Sequence, residues 1–351
     1  MKFDFKDITI VPEYLSDINS RSVIDPSTDG YHLPIMVAPM DTVVNDENYQ
    51  DFIENRFVPC IPRRSDGRIK FYDEFVFTSM SFIDFCSFLD GYLKTGEVGF
   101  FKKIHILIDV ANGHMKSIGD KVSLFLEKRK SLGKENDHII MVGNVANPET
   151  YKHYAKMGVD YVRVGIGGGS GCLTSANIGV HYPMASLVAE CFSIKQESNF
   201  TTKIVADGGM KNYDDVIKAI ALGADYVMIG GLFNKSLESC GQTSIFKFLY
   251  VSNKQAKYLW EKAPFLRKFM YKKFRGMSTK EVQKSWGNPV LKTSEGIVKL
   301  NKIEYTLPQW KDNFIDYLRS AMSYTNSHKL NDFRGANYVF ITQNSLNRFN
   351  K

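Results

Sequence analysis

Cys172 stands near the end of Gly167-Gly168-Gly169-Ser170-Gly171-Cys172-Leu173-Thr174, directly after the apolar run Tyr161–Gly167. Glycines let a backbone turn sharply and approach a ligand closely. A thiol on such a loop is accessible, and an accessible thiolate can attack an electrophilic carbon. A surface loop that merely contains a cysteine is the plain alternative. Two further glycine clusters, Asp207-Gly208-Gly209 and Gly230-Gly231, could aim backbone N–H groups at phosphate oxygens. One such cluster reads as a turn, whereas two behind successive apolar runs favour phosphate binding.

These residues need a scaffold, and the apolar runs predict one. Eight runs recur at Leu33–Val37, Phe57–Ile61, Phe75–Met80, Ile104–Ile108, His138–Val142, Tyr161–Val164, Lys203–Ala206 and Tyr226–Ile229. They are short, rich in Val and Ile, and lack strict alternation, as strands buried on both faces do. Helical segments separate them. Tyr213–Leu222 puts Val216, Ile217, Ile220 and Ala221 on one stripe and ends before Gly223. The pattern predicts an α/β fold, a (β/α)8 TIM barrel. Polar and glycine-rich sequence follows the C-terminal ends of the runs, where such barrels carry their sites. Ala38-Pro39-Met40-Asp41, Asp109-Val110-Ala111-Asn112-Gly113 and Gly143-Asn144-Val145 are examples. Residues 245–300 break the pattern and suggest a mobile flap over the barrel mouth, and Trp310–Tyr324 reads as the final helix. The expectation is a single domain over 1–351 with no inserted regulatory domain.

Composition narrows the class. The 351 residues are 44% hydrophobic and 24% charged, with a net charge of +7. This is the profile of a globular enzyme with an anionic ligand. Cys60, Cys86, Cys172, Cys191 and Cys240 form no CxxC pair, so reduced thiols in a cytoplasmic setting are expected. The opening residues lack a signal-peptide core, and no run approaches the ~20 apolar residues of a membrane span. The basic, aromatic stretch Lys254–Arg275 could touch nucleic acid. No nucleic-acid signature accompanies it, and a solvated helix or flap is the favoured reading.

Several segments together resemble the IMP dehydrogenase/GMP reductase family, with the reductase branch nearer. They are Phe3-Asp4-Phe5-Lys6-Asp7-Ile8, Ser20-Arg21-Ser22, Ala38-Pro39-Met40-Asp41-Thr42, the cysteine loop, Ile178-Gly179-Val180-His181-Tyr182-Pro183, Arg275-Gly276-Met277-Ser278, Ser294-Glu295-Gly296 and Leu318-Arg319-Ser320. The resemblance implies NADPH-dependent reductive deamination of GMP to IMP and ammonia. Cys172 would form a thioimidate at purine C2, and Thr174 with Glu295 would relay the proton to the leaving nitrogen. Read alone, Thr174 is a helix cap and Glu295 a solvated loop charge. Substrate contacts implied by the family are Asp207, Gly208, Gly209, Gly230, Gly231, Gly276, Met277, Ser278, Lys292, Ser294 and Gly296. Cofactor contacts implied are Ser20, Arg21, Arg63, Asp109, Val110, Ala111, Ser320, Ala321, Met322 and Ser323. Carbonyls of Gly167, Gly169 and Cys172 match a potassium site, and a homotetramer is the expected assembly.

The chain also departs from the family pattern. Pro62-Arg63-Arg64 replaces a His-Lys-His-like segment, and Arg63 cannot donate a proton near neutral pH. Gly168, Leu173 and Ser175 replace Pro, Thr and Arg around the thiol. Lys292-Thr293-Ser294-Glu295-Gly296 replaces an Arg-Ala-Ser-Glu-Gly-like run. The alternatives are IMP dehydrogenase (IMP and NAD to XMP), reduction of a deoxy or modified purine nucleotide, and a nucleotide-binding regulator that kept the pocket.

Overall fold

The computed structural model describes residues 2–349 other than 65, 73, 170, 172, 278, 286–292, 294 and 295, and leaves the side chains of 174, 283, 285, 343, 348 and 349 undescribed. In chain order the strands are β1 (Ile8–Ile10), β2 (Ile35–Val37), β3 (Val58–Ile61), β4 (Phe77–Met80), β5 (Ile104–Asp109), β6 (His138–Val145), β7 (Tyr161–Val164), β8 (Lys203–Asp207), β9 (Tyr226–Ile229), β10 (Thr243–Ile245), β11 (Leu249–Val251), β12 (Met270–Arg275), β13 (Val298–Lys302) and β14 (Tyr338–Phe340).

Strands β2 to β9 form a closed parallel barrel, and β2 pairs with β9 through Ile35 opposite Val227 and Val37 opposite Ile229. Each strand overlaps one of the eight apolar runs. Their burial on both faces has two sources. Met36, Val58, Cys60, Phe77, Leu107, Met141, Val205 and Met228 fill the interior. Ile35, Ile61, Ile106, Val142, Val162, Ile204 and Val227 belong to a second, larger core that also takes in helix residues such as Phe85, Phe125, Leu187 and Val216. This is a (β/α)8 TIM barrel. Three strands run further than their apolar cores. β5 continues to Asp109, β6 to Val145 and β8 to Asp207, so polar residues ride on strand ends rather than on free loops.

The stripe from Tyr213 does form a helix, Tyr213–Ala221, capped by Leu222 and followed by Gly223 at φ +113°. Residues 245–300 do break the barrel's pattern: where described, β10, β11, β12 and β13 make an antiparallel sheet in the order β11-β10-β12-β13. Helix Asn253–Lys262 accompanies it, and Leu237, Ile245, Ala256, Trp260, Met270 and Ile303 form its own apolar cluster. The helix expected at Trp310–Tyr324 spans Leu307–Tyr324, and it is not the last. Helix Leu330–Phe333, β14 and helix Gln343–Phe349 follow. Strand β14 pairs antiparallel with β1, while Phe3 packs on Tyr338 and Phe340, so the two ends of the chain clasp each other. Among the described residues, no helix is long and apolar enough to cross a membrane.

Candidate active site

A cavity of about 400 Å³ opens at the C-terminal mouth of the barrel. That lies within the ~300–1,000 Å³ usual for small-molecule sites. Seven of the eight strand ends or the loops behind them contribute lining: Ala38 to Met40, Arg63, Asp109 to Ala111, Asn144, Gly165 to Gly169, Asp207 to Met210, and Gly230 with Gly231. Phe274, Gly276 and Met277 from the end of β12 complete the wall. Sequence-distant glycine clusters therefore do meet around one volume. Gly208 shows why a glycine is needed there. Its φ is +86°, and a Cβ would stand 2.8 Å from the amide nitrogen of Gly169.

One charged network joins opposite parts of this wall. Arg163 lies within β7, is nearly buried, and reaches two carboxylates. Its Nη1 donates to Asp109 Oδ1 at 2.6 Å and its Nε donates to Asp207 Oδ2 at 2.9 Å. Asn144 Nδ2 donates to the same Asp207 oxygen at 2.7 Å and to the carbonyl of Gly165 at 2.7 Å. Arg63 Nε lies 3.4 Å from Asp109 Oδ2. Burial works against the Arg163 charge, yet Asp207 and Asp109 outweigh it and push the guanidinium pKa further up. Two cations thus face two anions, so the burial of each is compensated. Local chain geometry makes room for this. Gly143 pairs with Arg163 across β6 and β7, and a Cβ on Gly143 would meet Arg163 Cβ at 2.5 Å.

The cysteine loop is tied to the segment beyond the sheet. Ile297 N donates to Gly171 O at 3.1 Å, and Gly276 N donates to Ile297 O at 3.0 Å. Gly171 directly precedes Cys172, and Gly296 directly follows Glu295. On the barrel side, Ser175 Oγ donates to Gly167 O at 3.0 Å and His181 Nδ1 lies 2.9 Å from Ile166 O. Thr174 opens the short helix Thr174–Ile178, with Leu173 rather than Thr174 as its N-cap residue. Cys172, Ser278, Lys292, Ser294 and Glu295 lie outside the described residues, as does the side chain of Thr174. Of the other cysteines, Cys60 and Cys191 are buried and Cys240 is half-buried, and burial pushes all three thiols up, Cys240 to about 12. Such thiols are poor nucleophiles.

Not every expected residue reaches the cavity. Ser20, Arg21 and Ser320 to Ser323 do not line it. Arg21 instead donates to Ser320 Oγ on helix Leu307–Tyr324. The Met322 side chain is fully buried in the main core, where it packs helix Leu307–Tyr324 against the barrel. Gly296 sits behind the lining, where a Cβ on Gly276 would meet its Cα at 3.1 Å. Conversely, Arg163 and Asn144 were not singled out from sequence as site residues. The available signal was an arginine inside the apolar run Tyr161–Val164, because a buried arginine requires partners. For a nicotinamide cofactor the fit is partial but coherent, since Arg63, Asp109, Val110 and Ala111 share the cavity with the glycine clusters. Of the carbonyls matched to a potassium site, that of Gly167 accepts from Ser175 Oγ and keeps a second lone pair, while Cys172 lies outside the described residues.

Comparison with known proteins matches the chain over nearly its whole length. Residues 103–349 match the family model described as the IMP dehydrogenase / GMP reductase domain. GMP reductase of Bacillus subtilis is 28% identical over 98% of this chain and 98% of its own length. GMP reductase of Onchocerca volvulus is 30% identical over 99% of this chain and 93% of its own length. A third relative, GMP reductase of Streptococcus pneumoniae (strain Hungary19A-6), is 29% identical over 98% and 96%. With more than half of its length matched by that domain, the chain belongs to the IMP dehydrogenase/GMP reductase family.

Proposed function

We propose that the chain is a GMP reductase-like oxidoreductase that converts GMP to IMP and ammonia at the expense of NADPH. The observation that carries the reading is the tie between Gly171 and Ile297. It joins the loop bearing Cys172 to the segment bearing Glu295 at the edge of the cavity. The thiolate of Cys172 adds to purine C2, and the ring nitrogen takes the electron pair. The amino group leaves C2 as ammonia once it is protonated, a proton that Thr174 and Glu295 relay. This leaves a thioimidate, a more reactive acceptor than the intact purine. A reduced nicotinamide, held by Arg63, Asp109, Val110 and Ala111, would supply one hydride to C2. The C–S bond then breaks, IMP departs, and Cys172 regains its thiolate. Asp207 serves the ribose as an acceptor, while Gly208, Gly209, Gly230 and Gly231 offer backbone N–H groups to the phosphate. Asp109, Val110, Ala111 and Arg63 serve the cofactor. The same reading expects a homotetramer in the cytoplasm.

Absorbance at the nicotinamide band tests this. Wild type should consume NADPH with GMP and release IMP, and Cys172→Ala should lose the activity by at least about 10³-fold. Production of NADH from IMP and NAD by the wild type, with no loss of NADPH beside GMP, would reassign the chain to the dehydrogenase reaction.

A further inference from the structure

Asp109 ends β5 and Asp207 ends β8, with β6 and β7 between them in the barrel. The proposed function gives Asp109 to the cofactor and Asp207 to the nucleotide. A single side chain from β7 holds both. Arg163 uses Nη1 for Asp109 and Nε for Asp207, so its two donor edges are committed to different carboxylates. Asp207 Oδ2 already receives Arg163 and Asn144, and neither of those bonds uses Oδ1. Asp109 is engaged through both oxygens, Oδ1 with Arg163 and Oδ2 with Arg63. The guanidinium is almost enclosed, and water therefore screens this coupling weakly.

We propose that Arg163 is a positioning residue that couples the cofactor half of the site to the nucleotide half. The inference rests on the proposed function for the assignment of the two halves. Its physical basis is competition for one charge. When Asp109 is neutral, Arg163 is drawn wholly to Asp207. The Asp207 carboxylate is then a weaker acceptor for a ribose hydroxyl, so GMP binding weakens although Asp109 belongs to the cofactor half. Simple removal of a negative charge from the cavity predicts the opposite sign, because it would tighten a nucleotide dianion. The direction of the effect therefore separates the relay from plain electrostatics.

The experiment is a double-mutant cycle on the full chain, with the dissociation constant of GMP read by calorimetry in the absence of cofactor. Asp109→Asn keeps the shape of the side chain and should raise that constant several-fold. In an Arg163→Met background the shared charge is gone, so adding Asp109→Asn there should no longer raise the constant. Arg163→Lys replaces Arg163→Met in the cycle if the latter does not fold, because one ammonium cannot reproduce the fork that spans both carboxylates. Thermal melts of each variant confirm folding. An unchanged or tighter GMP constant in Asp109→Asn overturns the coupling. So does an equal effect of Asp109→Asn in the wild-type and Arg163-substituted chains. Absence of any GMP binding to wild type would instead fail the functional reading, and the proposal with it.

Discussion

At the scale of single residues, the site depends on backbone that only glycine adopts easily. Gly208 sits between Asp207 and Gly209 on the cavity wall with φ +86°, and the Gly169 amide occupies the space of its missing Cβ. Gly208→Ala must displace either Asp207 or the glycine loop before Cys172. A displacement of about 1 Å in a reacting constellation can cost around 10²-fold in rate. The expected outcome is a fall of that order in kcat/KM for GMP. A melting temperature within a few degrees of wild type should accompany it, because the strained loop lies outside the main core. Steady-state kinetics beside a thermal melt checks both halves of this expectation. Glycines of this kind are visible in a sequence, since their clustering is itself the signal. Arg163 is not: within Tyr-Val-Arg-Val it looks like an interruption of a strand. Its value emerges only when β5 and β8 bring Asp109 and Asp207 to within hydrogen-bond reach of it.

At the scale of elements, the barrel strands were legible because burial on both faces leaves an unbroken apolar run. Strand β12 was not, for a specific reason. Its inward positions are Met270, Lys272 and Phe274, so a lysine occupies a place where alternation calls for an apolar residue. Lys272 is fully buried, and its Nζ donates to Ser239 O at 2.6 Å and Asn253 Oδ1 at 2.9 Å. Burial pushes its ammonium down from 10.5 to about 8, while Cys240 and Glu238 favour the charge and Lys257 opposes it. The folded chain therefore prefers neutral Lys272 by roughly 3 kcal/mol relative to the unfolded chain. Between about pH 8 and 10.5 the unfolded state holds the proton more tightly, so this group makes stability rise with pH across that window. Its full stabilisation is present above the unfolded value and is lost as pH falls through about 8. Lys272→Met should remove that rise. Urea midpoints of wild type and variant, subtracted at each pH, would show it, and a difference that stays flat from pH 7 to 10.5 would refute the assignment. The sheet that carries Lys272 also carries Phe274 to the cavity, so the titration reaches an element that borders the site.

Across the whole molecule, the two ends of the barrel do different work. The C-terminal mouth gathers Asp109, Arg163 and Asp207 around a cavity. The opposite end carries a second buried arginine, Arg129, 6% exposed. Arg129, from helix Lys116–Ser131, donates to Asp160 just before β7, to the carbonyl of His138 at the start of β6 at 2.8 Å, and to Gly158 O at 3.1 Å. Asp160 in turn accepts from Ile140 N at 2.8 Å and from Arg129, which joins one outer helix to two barrel strands. Only 6% of Arg129 is exposed, so Arg129→Met strands a mostly buried carboxylate and two carbonyls. Breaking a buried pair on one side costs about 3–5 kcal/mol. The variant should therefore unfold at markedly lower urea while its KM for GMP stays within about twofold of wild type, since nothing in this network touches the lining of the cavity. Arg163→Met strands two carboxylates in the same way, so it should also unfold at lower urea, and it differs in altering GMP affinity as well. If Arg129→Met instead shifted KM as strongly as stability, the two ends of the barrel would be mechanically linked, and the site could not be treated as a rigid mouth on an independent base.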